Sequence, residues 1–137
     1  MPERDYSHRA LIDKLNVKEG ARVLALGIRD ADLMTELRTR TGSSPVEYGE
    51  ADVILLSVES VADLQKIEPL RRRLAPAGGL WVVYPKGRKD IRESQVMGAG
   101  LAAGLVDNKV VGFSATHTGL RFVIPKADRA RVKGKRG

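Results

Sequence analysis

The residues able to do chemistry in this sequence stand where apolar runs end. Gly27-Ile28-Arg29-Asp30 follows the run Ala21–Leu26. A glycine after a strand lets backbone come close to a ligand, and an aspartate behind it suits a helix N-terminus. Glu47 lies 20 residues beyond Gly27, about the offset at which an acid meets ribose hydroxyls in dinucleotide folds. Ser57 follows the run Val53–Leu56, and Lys86 comes just after Leu80–Tyr84, with Arg88 and Lys89 close behind. A cation at a sheet edge can hold a phosphate or carboxylate. Gly27, Asp30, Glu47, Ser57 and Lys86 are therefore the candidate ligand-binding residues. The chemistry such groups could do is the holding of a small nucleotide-type molecule.

Other chemistries find less support. There is no cysteine and there are two histidines, without paired ligand spacing, so neither a thiolate nucleophile nor a dedicated metal site is expected. No glycine-rich loop ends in Lys-Ser/Thr, and no Gly-x-Ser-x-Gly occurs; a nucleoside triphosphatase and a serine hydrolase are unsupported. His117 sits between two threonines in a loop, and nothing in sequence marks a carboxylate partner for it. Asp107-Asn108-Lys109 reads as a strand start with a local backbone bond. Arg71-Arg72-Arg73 fan out over three directions of a helix and form no single patch.

These residues need a sheet to position them. Periodicity predicts a helix over Ser7–Asn16, a strand over Ala21–Leu26, and a helix from the cap Asp30 to Thr41, closed by Gly42. A short strand is expected at Pro45–Tyr48 and a buried one at Asp52–Val58. Ser60-Val61-Ala62-Asp63 has capping-box spacing and opens a helix carrying Val61, Leu64, Ile67, Leu70 and Leu74, which Pro69 must break or kink. Pro76–Gly79 reads as a turn and Leu80–Tyr84 as the third buried strand. Asp90 and Glu93 are spaced to cap a helix through Ala103. Val106–Ser114 and Thr118–Ile124 close the chain as an antiparallel hairpin. The fold class is α/β: a small, shortened Rossmann-like three-layer sandwich, mostly parallel, with a C-terminal antiparallel hairpin. Val23, Leu24, Leu26, Val53–Leu56 and Trp81–Val83 should form its core, covered on both faces.

With 137 residues, the chain holds one domain, expected over 1–125. Six of its cations, Lys126, Arg129, Arg131, Lys133, Lys135 and Arg136, fall in 126–137 with one acid, leaving +2 of the net +7 for the rest. That segment reads as a disordered basic tail, either solubilising or a weak grip on nucleic-acid phosphates. No aromatic interleaves its charges, so it offers no stacking platform. Apolar runs are far too short for a membrane span, and the charged N-terminus is unlike a secretory signal, which makes a cytoplasmic protein the expectation.

Val17-Lys-Glu-Gly-Ala-Arg-Val-Leu-Ala-Leu-Gly27 resembles the entry strand of Rossmann-like S-adenosylmethionine-dependent methyltransferases, and Leu74-Ala-Pro-Ala-Gly-Gly-Leu-Trp-Val-Val83 resembles a later turn and strand of that family. The resemblance implies a cofactor turn at Gly27, a ribose-binding acid at Glu47 and, with them, an adenosyl-type ligand. It departs at Ile28-Arg29, side chains where the family has glycine, and in the lack of one strand–helix unit between Glu47 and Val53. A free cofactor pocket would require Arg29 to point away from the turn. Arg71–Lys86, Gly104–Val111 and Gly119-Leu-Arg-Phe-Val123 also look like a bacterial family named domain of unknown function 3052, which implies a Rossmann-like protein and no reaction. A non-catalytic interaction module, engaging an anionic partner through 126–137, is the other reading.

Overall fold

Local capping sets several element ends as the sequence predicts. The computed structural model describes residues 7–129, the first three of them as backbone only. Helix α1 is Ser7–Lys14 and strand β1 is Val23–Leu26. Helix α2, Ala31–Thr41, starts where the Asp30 carboxylate accepts the Leu33 N–H at 3.1 Å and ends at Gly42, φ 86°. Strand β2 is Ala51–Ser57. A 3-10 segment, Val61–Lys66, leads into the short helix α3, Ile67–Arg71. Pro69 has no N–H for a continuous helix, so one long helix is replaced by two short pieces.

Strand β3 is Leu74–Pro85, which corrects two expectations. Leu74 belongs to the strand and not to the preceding helix, and Pro76–Gly79 is not a separate turn. Ala51 pairs with Leu74 but Val53 with Gly79, so residues 75–78, Pro76 and Gly78 among them, form a bulge inside the strand, a place that tolerates a missing donor. Helix α4, Glu93–Ala102, begins two residues later than Asp90 would place it. Gln95 accepts the Arg92 N–H at 2.8 Å, while Asp90 is drawn off to Arg88 at 2.7 Å. Strands β4, Val106–Gly112, and β5, His117–Val123, form the hairpin.

The sheet order is β1-β2-β3-β5-β4. β1, β2 and β3 are parallel, whereas β5 is antiparallel to both β3 and β4. The sheet is thus mixed rather than mostly parallel: the parallel part is confined to the first three strands. The expected strand at Pro45–Tyr48 is not one. Val46 gives a single N–H to Val23 at 2.8 Å, at the outer edge of β1. Its side chain packs against the α3/α4 face, so this stretch carries the chain round the sheet edge from the α2 face to the other.

Both faces of the central strands are covered. Leu11, Ile12, Leu15, Leu33 and Leu37 lie against Val23, Val53, Leu55 and Trp81. Leu64, Ile67, Leu70 and Val96 lie against Ile54, Leu56, Leu80, Val82 and Phe122. Leu26, expected in the core, is 36% exposed, because β1 is an edge strand and Leu26 is its last residue. Beyond β5, residues 126–129 make a helical turn started by Pro125, whose carbonyl accepts the Asp128 and Arg129 N–H groups. Of the basic segment, Arg131, Lys133, Lys135 and Arg136 lie outside the described residues.

Candidate functional site

A cleft of about 540 Å³ opens at the carboxyl ends of the parallel strands. Parallel strands point their ends and their following loops the same way, so ligands of open α/β sheets collect there. β1 supplies Gly27 and the turn Ile28–Asp30, β2 supplies Ser57, and β3 supplies Val83. Glu59, Asp63 and Lys66 come from the 3-10 side, and Phe113, Ser114 and His117 from the hairpin. Apolar Ile28, Val83 and Phe113 among a few polar groups are the usual make-up of a small-molecule site of this size.

Gly27 has φ 78°, which favours glycine, and a Cβ there would stand 3.2 Å from the Ser57 Cβ. The glycine therefore lets the end of β1 turn tightly against the end of β2. Asp30 lines the cleft while capping α2. Three of the five sequence candidates, Gly27, Asp30 and Ser57, thus come together. Glu47 does not. Its neighbour Val46 bonds to Val23, at the amino end of β1, about 13 Å of strand from Gly27. The 20-residue offset fails because the chain after α2 runs round the sheet edge instead of forming a second parallel strand. Lys86 is exposed, and its N–H goes to the Thr116 carbonyl at 2.9 Å. It lies beyond the cleft, to which β3 contributes Val83.

The groups that tie the mouth together pair through Glu59, which nothing local in the sequence marks. His117 Nε2 lies 2.9 Å from Glu59 Oε2, and its Nδ1 lies 2.8 Å from the Thr116 hydroxyl. Arg88 donates to Glu59 Oε1 at 3.3 Å, to the Glu59 carbonyl at 3.1 Å, and to Asp90. Asp63 accepts the Glu59 N–H at 2.8 Å and the Ser60 N–H at 3.3 Å. These amides, Glu59 first, hold the Asp63 carboxyl below its ordinary range. The acids of the 3-10 side are thus committed to the protein itself. Arg29 and Ser57 are different: both line the cleft, and neither side chain makes a hydrogen bond or ion pair among the described residues. Arg29 does not leave the turn bare, as a cofactor pocket of the resembled family would need.

A second, larger groove of about 710 Å³ runs between Val61–Glu68 and α4. It lies on the side of the sheet, away from the strand ends, and its one charged residue, Glu68, stands 4.0 Å from Arg72. The strand-end cleft is the better candidate because it gathers free polar groups and apolar walls in one place. No cluster of metal-ligating side chains occurs among the described residues. No described helix is long and apolar enough to cross a membrane.

No family model matches the chain, and no curated protein matches it; the likeness to domain of unknown function 3052 gains no support there. Solved structures do match. A SAM-dependent methyltransferase from Aquifex aeolicus is 15% identical, with 87% of this chain and 90% of that one covered and a TM-score of 0.67. Magnesium protoporphyrin IX methyltransferase from Synechocystis, solved with bound SAH, is 10% identical over 88% and 81%, TM-score 0.65. A TehB-like SAM-dependent methyltransferase from Corynebacterium glutamicum is 12% identical over 86% and 87%, TM-score 0.55. At such identities the likeness establishes the fold: a methyltransferase-like α/β fold with a five-stranded mixed sheet.

Proposed function

We propose that this protein binds a small adenosyl- or nucleotide-type ligand in the strand-end cleft, without full methyltransferase activity. The observation that carries this reading is the pair of uncommitted polar groups, Arg29 and Ser57, beside apolar walls at the carboxyl ends of the parallel strands. Ile28 and Phe113 would flank a flat base, and Ser57 would bond a ligand hydroxyl. Arg29 would meet an anionic end, a phosphate before a carboxylate, because a guanidinium matches phosphate oxygens with two parallel N–H donors. Adenosylmethionine fits less well on this reading: its sulfonium and ammonium would enter beside a cation, and Glu47 stands elsewhere.

Thermal unfolding in the presence of adenosine monophosphate, adenosylhomocysteine and adenosylmethionine tests the proposal. A ligand at 100 times its Kd stabilises by about 2.7 kcal/mol. Adenosine monophosphate should raise Tm most, and Arg29→Ala should remove most of the shift. Stabilisation by none of the three at millimolar concentration would reject the reading. Stabilisation by adenosylmethionine above all others would replace it with a methyltransferase.

A further inference from the structure

A further recess, about 230 Å³, lies at the opposite end of the sheet, under the amino ends of the strands. Asn16, Lys18 and Ala21 border it from the α1–β1 connection, Ala75, Ala77 and Gly78 from the β3 bulge, Asp52 and Val53 from β2, and Arg121 from β5. Asp52 is spoken for: Arg22 holds its two carboxylate oxygens through Nε at 3.1 Å, Nη2 at 2.9 Å and the backbone N–H at 2.9 Å.

Arg121 is not. Its Nε–H is buried with no acceptor, and the one hydrogen bond its guanidinium makes among the described residues, Nη1 to Asn108 Oδ1, is long at 3.4 Å. No carboxylate pairs with it among the described residues. The guanidinium lies across Gly79, where any Cβ would collide with it, so the strand makes room for this side chain. Burial, and secondarily the like charge of Arg129, push its pKa down from the ordinary value. Lys18, exposed and with no ion pair among the described residues, borders the same recess. The half-buried Arg121 guanidinium has no counter-charge in this concavity, and leaving its buried Nε–H unpaired is costly; Lys18 and Asn16 beside it are exposed, with their donors open to a ligand.

We propose that this recess binds a phosphate group, held by Arg121 and Lys18 with the Asn16 amide as a further donor. Phosphate suits it because its charge and acceptor oxygens can engage both cations at once. The group arrives either as free phosphate or a small phosphorylated molecule, or as part of a nucleic-acid backbone. Lys126 and Arg129, which follow β5 at this end of the sheet, favour neither source over the other. This site is independent of Arg29 and the strand-end cleft.

The test follows the Arg121 Nε–H signal by NMR on the full chain. Inorganic phosphate is titrated at constant ionic strength made up with chloride, and a short DNA duplex is titrated separately. Phosphate should give a saturable shift, at least tenfold weaker in affinity for Lys18→Gln and absent in Arg121→Gln, where the amide signals of Asn16 and Gly78 report instead. Lys18 is exposed, so its variant keeps the fold and the test stands even if Arg121→Gln does not fold. Tighter binding of the duplex, weakened by the same substitutions, assigns the phosphate to nucleic acid; response to inorganic phosphate alone assigns it to a small molecule. A shift that does not saturate, or that Lys18→Gln leaves unchanged, overturns the proposal.

Discussion

Glu59 and His117 are 58 residues apart in sequence and 2.9 Å apart in space, Oε2 to Nε2. With Arg88 on the other carboxylate oxygen, Glu59 joins the loops after β2 and β3 to the hairpin across the mouth of the cleft. The Glu59 side chain is 58% exposed and that of Arg88 43%, so water screens these pairs. Glu59→Ala should therefore cost less than about 1 kcal/mol of global stability. Its larger effect is local: hydrogen exchange at the Thr116 and His117 amides should quicken several-fold. Denaturant unfolding showing a loss above about 3 kcal/mol, with exchange unchanged, would contradict this division.

Asp63 organises the same region through backbone amides. Removing it, as in Asp63→Ala, should cost about 1 kcal/mol at neutral pH, the usual cost of losing a capping side chain. The Glu59 amide depresses its pKa in the folded state, so its contribution is present above the unfolded carboxyl value, about pH 4. It is lost as pH falls through the folded value. The stability difference between wild type and variant should shrink on acidification below about pH 4. A difference constant from pH 7 to pH 3 would show that the charge plays no part.

Two glycines of α4 should respond in opposite senses to the same substitution. A methyl at Gly98 meets nothing within 4 Å, whereas one at Gly100 would collide with the Phe122 ring. Gly98→Ala should stabilise by about 0.5–1 kcal/mol through helix propensity. Gly100→Ala should destabilise by about 1–3 kcal/mol despite the same gain, because the core cannot absorb the added atom. Equal effects in urea unfolding would mean that α4 does not lie on β5 as described.

What could be read from the sequence divides along the same line between local and distant causes. Asp30 and Gly42 mark the ends of α2 because capping is settled within a few residues. The runs Val53–Leu56 and Leu80–Tyr84 announce strands buried on both faces. Leu74 was legible only as a helical repeat, since the bulge that puts it in β3 depends on pairing with Ala51. Val46 has strand-like neighbours but finds a single partner carbonyl. Gly27, Asp30 and Ser57 reach the site because each ends or follows an element that the sequence marks. Glu59, His117 and Arg121 could not be recognised, because each is defined by residues far off in the chain.

Trp81 ties the α1 end to the sheet: fully buried, it donates Nε1–H to the Leu15 carbonyl at 3.1 Å. Trp81→Phe keeps most of the ring but strands that carbonyl, at a cost of about 1–3 kcal/mol. Trp81→Ala should cost about 3–5 kcal/mol. Near-equal losses for the two variants would place the importance of this residue in its hydrogen bond rather than its volume.

Mapping amide NMR shifts on addition of adenosine monophosphate decides whether the strand-end cleft is the binding site. Saturable changes should concentrate at Gly27, Ile28, Ser57, Phe113 and His117 and be lost in Arg29→Ala. Changes centred instead on Ala62, Gln65, Ala99 and Ala103 in the lateral groove, or no saturable change anywhere, would contradict binding in the cleft.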